Sequence, residues 1–173
     1  MSDIDIIGLY QGIAHRALRL ETRQRYAVPW EKDGLAAWRR GEPEPMSPQL
    51  ESTLETLRQV TASGRRIGRV RFVELPLTEY SRHEFEVAYP RNTETGEEIH
   101  VLDRALHPKF DHVRDDFVVF DEAAVLWYRY TAEDVLTDYD YTEESDVVRH
   151  CVALAEEVRA AAVPYREFMA RMR

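Results

Sequence analysis

At 173 residues the chain has the length of one domain with its own core. Its 44% hydrophobic and 32% charged content is that of a globular protein and argues against a disordered chain, and no apolar run approaches the ~20 residues of a membrane-spanning helix. The net charge of −9 opposes non-specific nucleic-acid binding, although residues 1–82 carry 13 Lys/Arg against 11 Asp/Glu and residues 83–173 carry 10 against 21.

Taken in order, residues 4–18 place Ile6, Leu9, Ile13 and Ala17 at helical spacing, with Tyr10, Ala14 and Leu18 widening the stripe. This predicts an amphipathic helix running into RLETRQRY, where Arg19, Arg23 and Arg25 surround Glu21. That stretch reads as a charged helix end or strand with Glu21 paired to an arginine, or as an anion-binding edge. Trp30 and Trp38 flank a short helical piece that stops at Gly41, and the three prolines of GEPEPMSP mark a loop. Ser47 as N-cap, Pro48 at the first helical position and Leu50, Leu54, Leu57 and Thr61 on one face predict a helix that Gly64 ends.

Alternation in Arg69–Leu75 predicts a strand with Val70 and Phe72 on one face and Arg69, Arg71 and Val73 on the other. Pro76 opens a predicted helix carrying Leu77, Tyr80, Glu84 and Ala88 and ending before Pro90. NTETG is a turn, Ile99–Leu102 a strand and HPKFDHVRDD a polar connection. Phe117–Phe120, Val125–Tyr130 and Val135–Tyr141 follow as hairpin strands. The last helix carries a wide apolar stripe from Val147 to Ala162 and breaks at Pro164. The fold expected is α+β: a small, mostly antiparallel sheet covered by the 48–62 and 145–163 helices. It forms a single domain over residues 1–173, with residues 1–45 as a helical cover and 46–173 as the α+β core.

The densest regularly spaced charges are Arg69, Arg71, Arg82, Glu84 and Glu86. If the helix after the strand packs back on it, arginines and glutamates meet in a semi-buried network. Arginine forks suit carboxylate and phosphate, and partly buried charges must be paired in any case, so the cluster is either a binding face or a docking device. Arg69, Arg71, Tyr80, Arg82 and Glu84, with Arg19 and Glu21 beside them, are the candidate recognition residues. No catalytic residue, metal ligand or cofactor is assigned. His107, Asp111 and His112 lie in a loop without zinc-site spacing, and Cys151 sits on an apolar helical stripe as an inert thiol. The acidic start, MSDIDIIGLY, and the single cysteine fit a cytoplasmic protein.

HPKFDHVRDD resembles the His-x-Lys-then-Asp signature of phospholipase D-type enzymes, but Asp115 comes one residue late and no Gly-Ser pair follows. When DFVVFDE is aligned on Asp121, the signature's His and Lys positions fall on Arg114 and Asp116, as in a degenerate, catalytically dead relative. RLETRQRY, RVRFVELPLTEYSRHEFEVAYPRNTETGEEIHVL, DFVVFDEAAV and AAAVPYREF together resemble the actinobacterial family catalogued as domain of unknown function 6879, while WEKDGLAAWRRGEPEPMSP departs from its pattern. The closing hairpin and helix are also similar to the C-terminal domain of regulators linked to toxin–antitoxin-like systems. The resemblance implies a non-enzymatic regulatory protein whose partner is a helix-turn-helix DNA-binding regulator, with no direct nucleic-acid or membrane contact and a possible homodimer. Two rival readings follow from the residues: a small-molecule sensor with a cavity lined by Trp30, Trp38 or Trp127, and a hydrolase using His107 and Lys109.

Overall fold

The computed structural model describes residues 4–172, the side chain of Trp30 excepted. Helix α1 (Ile6–Gly12) is shorter than the apolar spacing predicts, and Ala17 and Leu18 fall on a strand, β1 (Arg16–Glu21). The boundary is set from outside the segment. The Asp121 carboxylate accepts the N–H groups of Ala14, His15 and Arg16 at 2.5, 2.7 and 2.8 Å, leaving none of them for a helix. A 3-10 turn (Pro29–Glu31) and α2 (Lys32–Arg39) follow. Helix α3 (Pro48–Ala62) starts as the sequence predicts, with the Ser47 hydroxyl accepting from Leu50 N–H and Pro48 where no donor is needed.

Strand β2 (Arg66–Val73) leads to a helix that starts later and runs further than expected. Thr78, not Pro76, opens α4 (Glu79–His83), its hydroxyl accepting from Ser81 N–H. A π turn (Glu84–Ala88) then carries the chain without a break into α5 (Tyr89–Glu94). Pro90 does not end the helix. In the widened turn Tyr89 N–H reaches back five residues to the Glu84 carbonyl, so Pro90 falls in the first turn of α5, where its missing N–H costs nothing. The turn expected over NTETG is confined to its end, where Gly96 takes a φ of +93°.

The remaining elements are β3 (Glu98–Asp103), two short 3-10 turns (Arg104–Leu106 and Pro108–Phe110), β4 (Phe117–Phe120), β5 (Ala124–Tyr130), β6 (Leu136–Thr142), α6 (Ser145–Ala161), β7 (Val163–Pro164) and α7 (Tyr165–Arg171). All strands join one sheet in the order β6-β5-β4-β1-β2-β3-β7. Four of its six pairings are antiparallel. The sheet is thus mostly antiparallel, as expected, but its centre, β1-β2-β3, is parallel, and with seven strands it is larger than the small sheet expected. Parallel neighbours need long crossovers, and α3 and the α4–α5 helix supply them. Residues 1–45 are therefore more than a helical cover, because β1 lies between β2 and β4.

Each face of the sheet has its own cover. Leu18, Leu20, Val70, Phe72, Val119 and Val125 pack against Val148, Cys151, Ala155 and Val158 of α6. On the other face Ala17, Ile67, Val118 and Leu126 meet Leu57 and Val60 of α3 and the apolar side of α1. A third cluster joins Val73, Ile99 and Val101 to Phe85 and Tyr89 and to Tyr165 and Phe168 of α7. Burying a Val, Leu or Phe side chain is worth about 1.5–3 kcal/mol, so these stripes carry the fold.

Candidate functional site

Strand alternation puts Arg19, Glu21, Arg69 and Arg71 on the face shared with α1, α3 and the α4–α5 crossover. The parallel register sets Arg19 beside Arg69 and Glu21 beside Arg71. Four charges thus stand in a square near the carboxyl ends of two central strands. Glu21, 3% exposed, serves all three cations: its Oε1 lies 3.0 Å from Arg69 Nη1 and 3.3 Å from Arg19 Nη1, and its Oε2 lies 3.8 Å from Arg71 Nη1. Tyr89 donates to the same Oε2 at 3.2 Å. Burial opposes ionisation of Glu21, but Arg69, Arg19 and Arg71 overcome it and hold the carboxyl down at about 2. Arg69 is completed by Glu97, to which its Nε donates at 2.6 Å, and Asn92 Nδ2 donates to the other Glu97 oxygen at 2.9 Å.

Arg71 is the odd member. It is fully buried, with Glu84 Oε2 2.8 Å from its Nη2 and the Tyr26 ring 4.9 Å from its guanidinium carbon. Yet none of its three guanidinium nitrogens makes an aligned hydrogen bond, and neither does Glu84 Oε2. Glu84 sits in the π turn, where burial pushes its carboxyl up to about 8 against the pull of Arg71. Tyr80 donates at 2.7 Å to Glu31, a carboxyl that burial also raises, and the Tyr80 phenol is itself held well above its usual range by burial. Of the residues named from the sequence, the structure brings together Arg19, Glu21, Arg69, Arg71, Tyr80 and Glu84. Arg82 is corrected out of the group. It is exposed on α4, because Tyr80, Ser81, His83 and Glu84 take the buried positions of that turn.

The network adjoins a solvent-filled cleft. Between the end of β1, the start of β4 and the end of β5 lies a cleft of about 220 Å³, lined by Arg23, Arg114, Asp115, Asp116, Tyr128, Arg129 and Tyr130. Its inner wall belongs to the network: Arg19 stacks on the Tyr128 ring at 4.2 Å and reaches Asp116 at 3.8 Å. Asp116 is turned inward, accepting from Thr22 N–H (2.7 Å), the Thr22 hydroxyl (2.8 Å) and the Tyr26 hydroxyl (2.5 Å). Arg23 stacks on Tyr130 and pairs with Asp134, and Arg129 pairs with Asp140. Arg114 is exposed and, among the described residues, pairs with no carboxylate within 4 Å. Sequence reasoning named Arg114 and Asp116 only as aligned positions and passed over Tyr128 and Tyr130. Their period-two spacing on β5 was the available signal, since it puts both rings on one face of the sheet.

The other sequence candidates lie elsewhere. Lys109 Nζ is 2.8 Å from Glu157 on α6, and His107 rests against Phe110, so neither lines the cleft. Trp38 packs on His83 and Trp127 on Phe117, both away from the cleft, while the Trp30 side chain lies outside the described residues. Among the described residues no group of three His, Cys, Asp or Glu side chains is placed to hold a metal ion, and no helix is long and apolar enough to cross a membrane.

The architecture is similar to that of a solved phospholipase D family member, Nuc from Salmonella typhimurium. The TM-score is 0.53 at 6% identity, covering 92% of this chain and 87% of that one, a likeness of fold alone. No curated protein matches the sequence. The family model described as domain of unknown function (DUF6879) matches residues 5–170, and the chain belongs to that family.

Proposed function

We propose that this chain is a non-hydrolytic binding protein on a phospholipase D-like fold, and that it takes an anionic ligand in the cleft at the carboxyl ends of β1 and β5. The observation that carries this reading is Arg114, exposed at the cleft with no carboxylate among the described residues paired to it, where Arg23 and Arg129 converge and Asp116 is satisfied from inside. Crevices outside the carboxyl ends of parallel strands are where open sheets of this kind bind ligands. The lining holds no histidine, lysine, serine or cysteine among the described residues, so it offers no imidazole base and no serine, thiol or amine nucleophile. With the sequence aligned on Asp121, the phospholipase D signature's histidine and lysine positions fall on Arg114 and Asp116, a reading that favours binding without turnover. A regulatory partnership with a helix-turn-helix protein, implied by the family resemblance, fits the same cleft if the anion is a carboxylate or phosphate that reports to that partner.

The test is calorimetric titration of the full chain with bis(p-nitrophenyl) phosphate, alongside an assay for released nitrophenol. Binding without release is expected, and Arg114→Ala weakens it about tenfold, the worth of one charge-assisted contact. Nitrophenol release that disappears with Arg114→Ala would make the protein a hydrolase instead.

A further inference from the structure

Residues 27–46 cross the buried network as a strap made of the 3-10 turn, α2 and a proline-rich tail. None of its described side chains belongs to the three apolar clusters. Polar contacts to α4, the π turn and α5 hold it down: Trp38 Nε1 donates to Glu86 (2.9 Å), Arg39 Nε to Glu79 (3.0 Å), Arg91 Nη1 to Glu44 (2.6 Å) and Tyr80 to Glu31 (2.7 Å). The Arg39–Glu79 pair is about half-exposed and contributes little, while the Arg91–Glu44 and Tyr80–Glu31 contacts are mostly buried, so a few polar contacts and the small buried residues Gly34 and Ala37 hold the strap to the body of the protein.

Under it lies a group that the closed fold leaves unsatisfied. Arg71 is 0% exposed, and its whole guanidinium fork is without an aligned acceptor. Buried polar groups are hydrogen-bonded in the great majority of proteins, and an arginine fork is built to take a carboxylate with two parallel bonds. Glu84 approaches closely but off-line, from a π turn, a backbone form that recurs at functional sites. The strap contributes its own carboxylate, Glu31, which rests on the neutral Tyr80 hydroxyl and has no arginine partner within 4 Å among the described residues.

We propose that the strap opens as a unit over a chamber walled by Arg71, Glu84, Tyr26 and Tyr80, and that this chamber binds a small carboxylate on the Arg71 fork once Glu31 has lifted off Tyr80. A singly charged, planar group fits the one unbonded fork. A phosphate dianion would meet the ionised Glu21 at close range and be repelled more strongly than a monoanion. The chamber is separate from the cleft, with the Tyr26 ring as the wall between them: it faces Arg71 on one side and bonds Asp116 on the other.

The experiment uses the full chain and benzoate as probe, with calorimetry for binding and amide hydrogen exchange for the strap. Amides of residues 27–46 are expected to exchange together and ahead of β1 and β2, and benzoate to bind at millimolar concentration. Arg39→Ala loosens the strap without touching the chamber, so it raises the apparent affinity about two- to five-fold by enlarging the open fraction. Arg71→Met abolishes the component of binding that Arg39→Ala strengthens, and Arg114→Ala leaves that component unchanged, which separates this site from any benzoate taken by the cleft. If Arg71→Met does not fold, Arg39→Ala and Arg114→Ala carry the test. Strap amides that exchange only with the sheet, benzoate that fails to bind, or affinity indifferent to Arg39→Ala would each overturn the proposal.

Discussion

Glu21 and Glu84 face the same guanidinium from two sides and titrate in opposite directions. Glu21 is drawn down to about 2 by three arginines, so its contribution to stability is present above the usual 4.5 and is lost as pH falls towards 2. Glu84 is pushed up to about 8, so its contribution is complete below 4.5 and is lost as pH rises through 8. Between those limits the folded chain holds a proton on Glu84 that the unfolded chain releases. The urea midpoint of the wild type is therefore expected to decline from pH 5 to pH 8.5. Glu84→Gln, a neutral isostere, flattens that decline. Glu21→Gln removes the charge that Arg19, Arg69 and Arg71 share, leaving each with one other carboxylate, and destabilises at every pH in the range by about 3 kcal/mol. A decline of the same size in Glu84→Gln would remove Glu84 as its cause.

Among the elements, those built on one local pattern were legible in the sequence: the Ser47-capped helix, the β2 alternation with Arg69 and Arg71 on one face, the hairpin strands and the stripe of α6. What the sequence hid depends on partners far along the chain. The start of β1 is fixed by Asp121, more than a hundred residues away, and no spacing near Ala14 announces it. Nor does the proline at residue 90 reveal that the backbone before it widens by one residue. That widening places Glu84 beneath the strap, so the site's geometry was as hidden as the turn that makes it. Arg69, Arg71, Arg19 and Glu21 were findable because strand period alone aligns them, whereas Tyr89 enters from α5 and Glu97 and Asp116 from the connections before β3 and β4. Burial works against the Asp121 charge, and the three backbone donors more than compensate, holding its carboxyl below the usual range. Asp121→Ala is expected to cost about 2 kcal/mol or more by leaving those N–H groups unpaired, measured as a shift in urea midpoint. Asp121→Asn retains part of it. Equal stability of Asp121→Ala and wild type would show that the carboxylate does not set the strand's start.

For the whole molecule, one sheet with two unlike faces divides the work. The α6 face is apolar and carries stability. The opposite face mixes apolar packing with the charged network and bears both the cleft and the strap. Phe72→Ala on the first face, fully buried under α6 with the Arg104 guanidinium 4.5 Å above its ring, is expected to cost about 3–5 kcal/mol. Tyr141→Ala on the exposed edge strand changes stability by about 0.5 kcal/mol or less. Comparable losses at the two positions would mean that the α6 face is not the main store of stability.

The strand order also dictates what a growing chain lacks. β1 has its two neighbours on opposite sides, β2 about 50 residues later in the sequence and β4 about 100, a separation at which loop closure is slow and costly. During synthesis β1, β2 and β3 emerge first, and their Leu18, Leu20, Val70 and Phe72 stay bare until α6 is made. A nascent chain stalled before residue 145 would thus present a greasy parallel sheet to solvent or to a chaperone, and α6 takes that surface away.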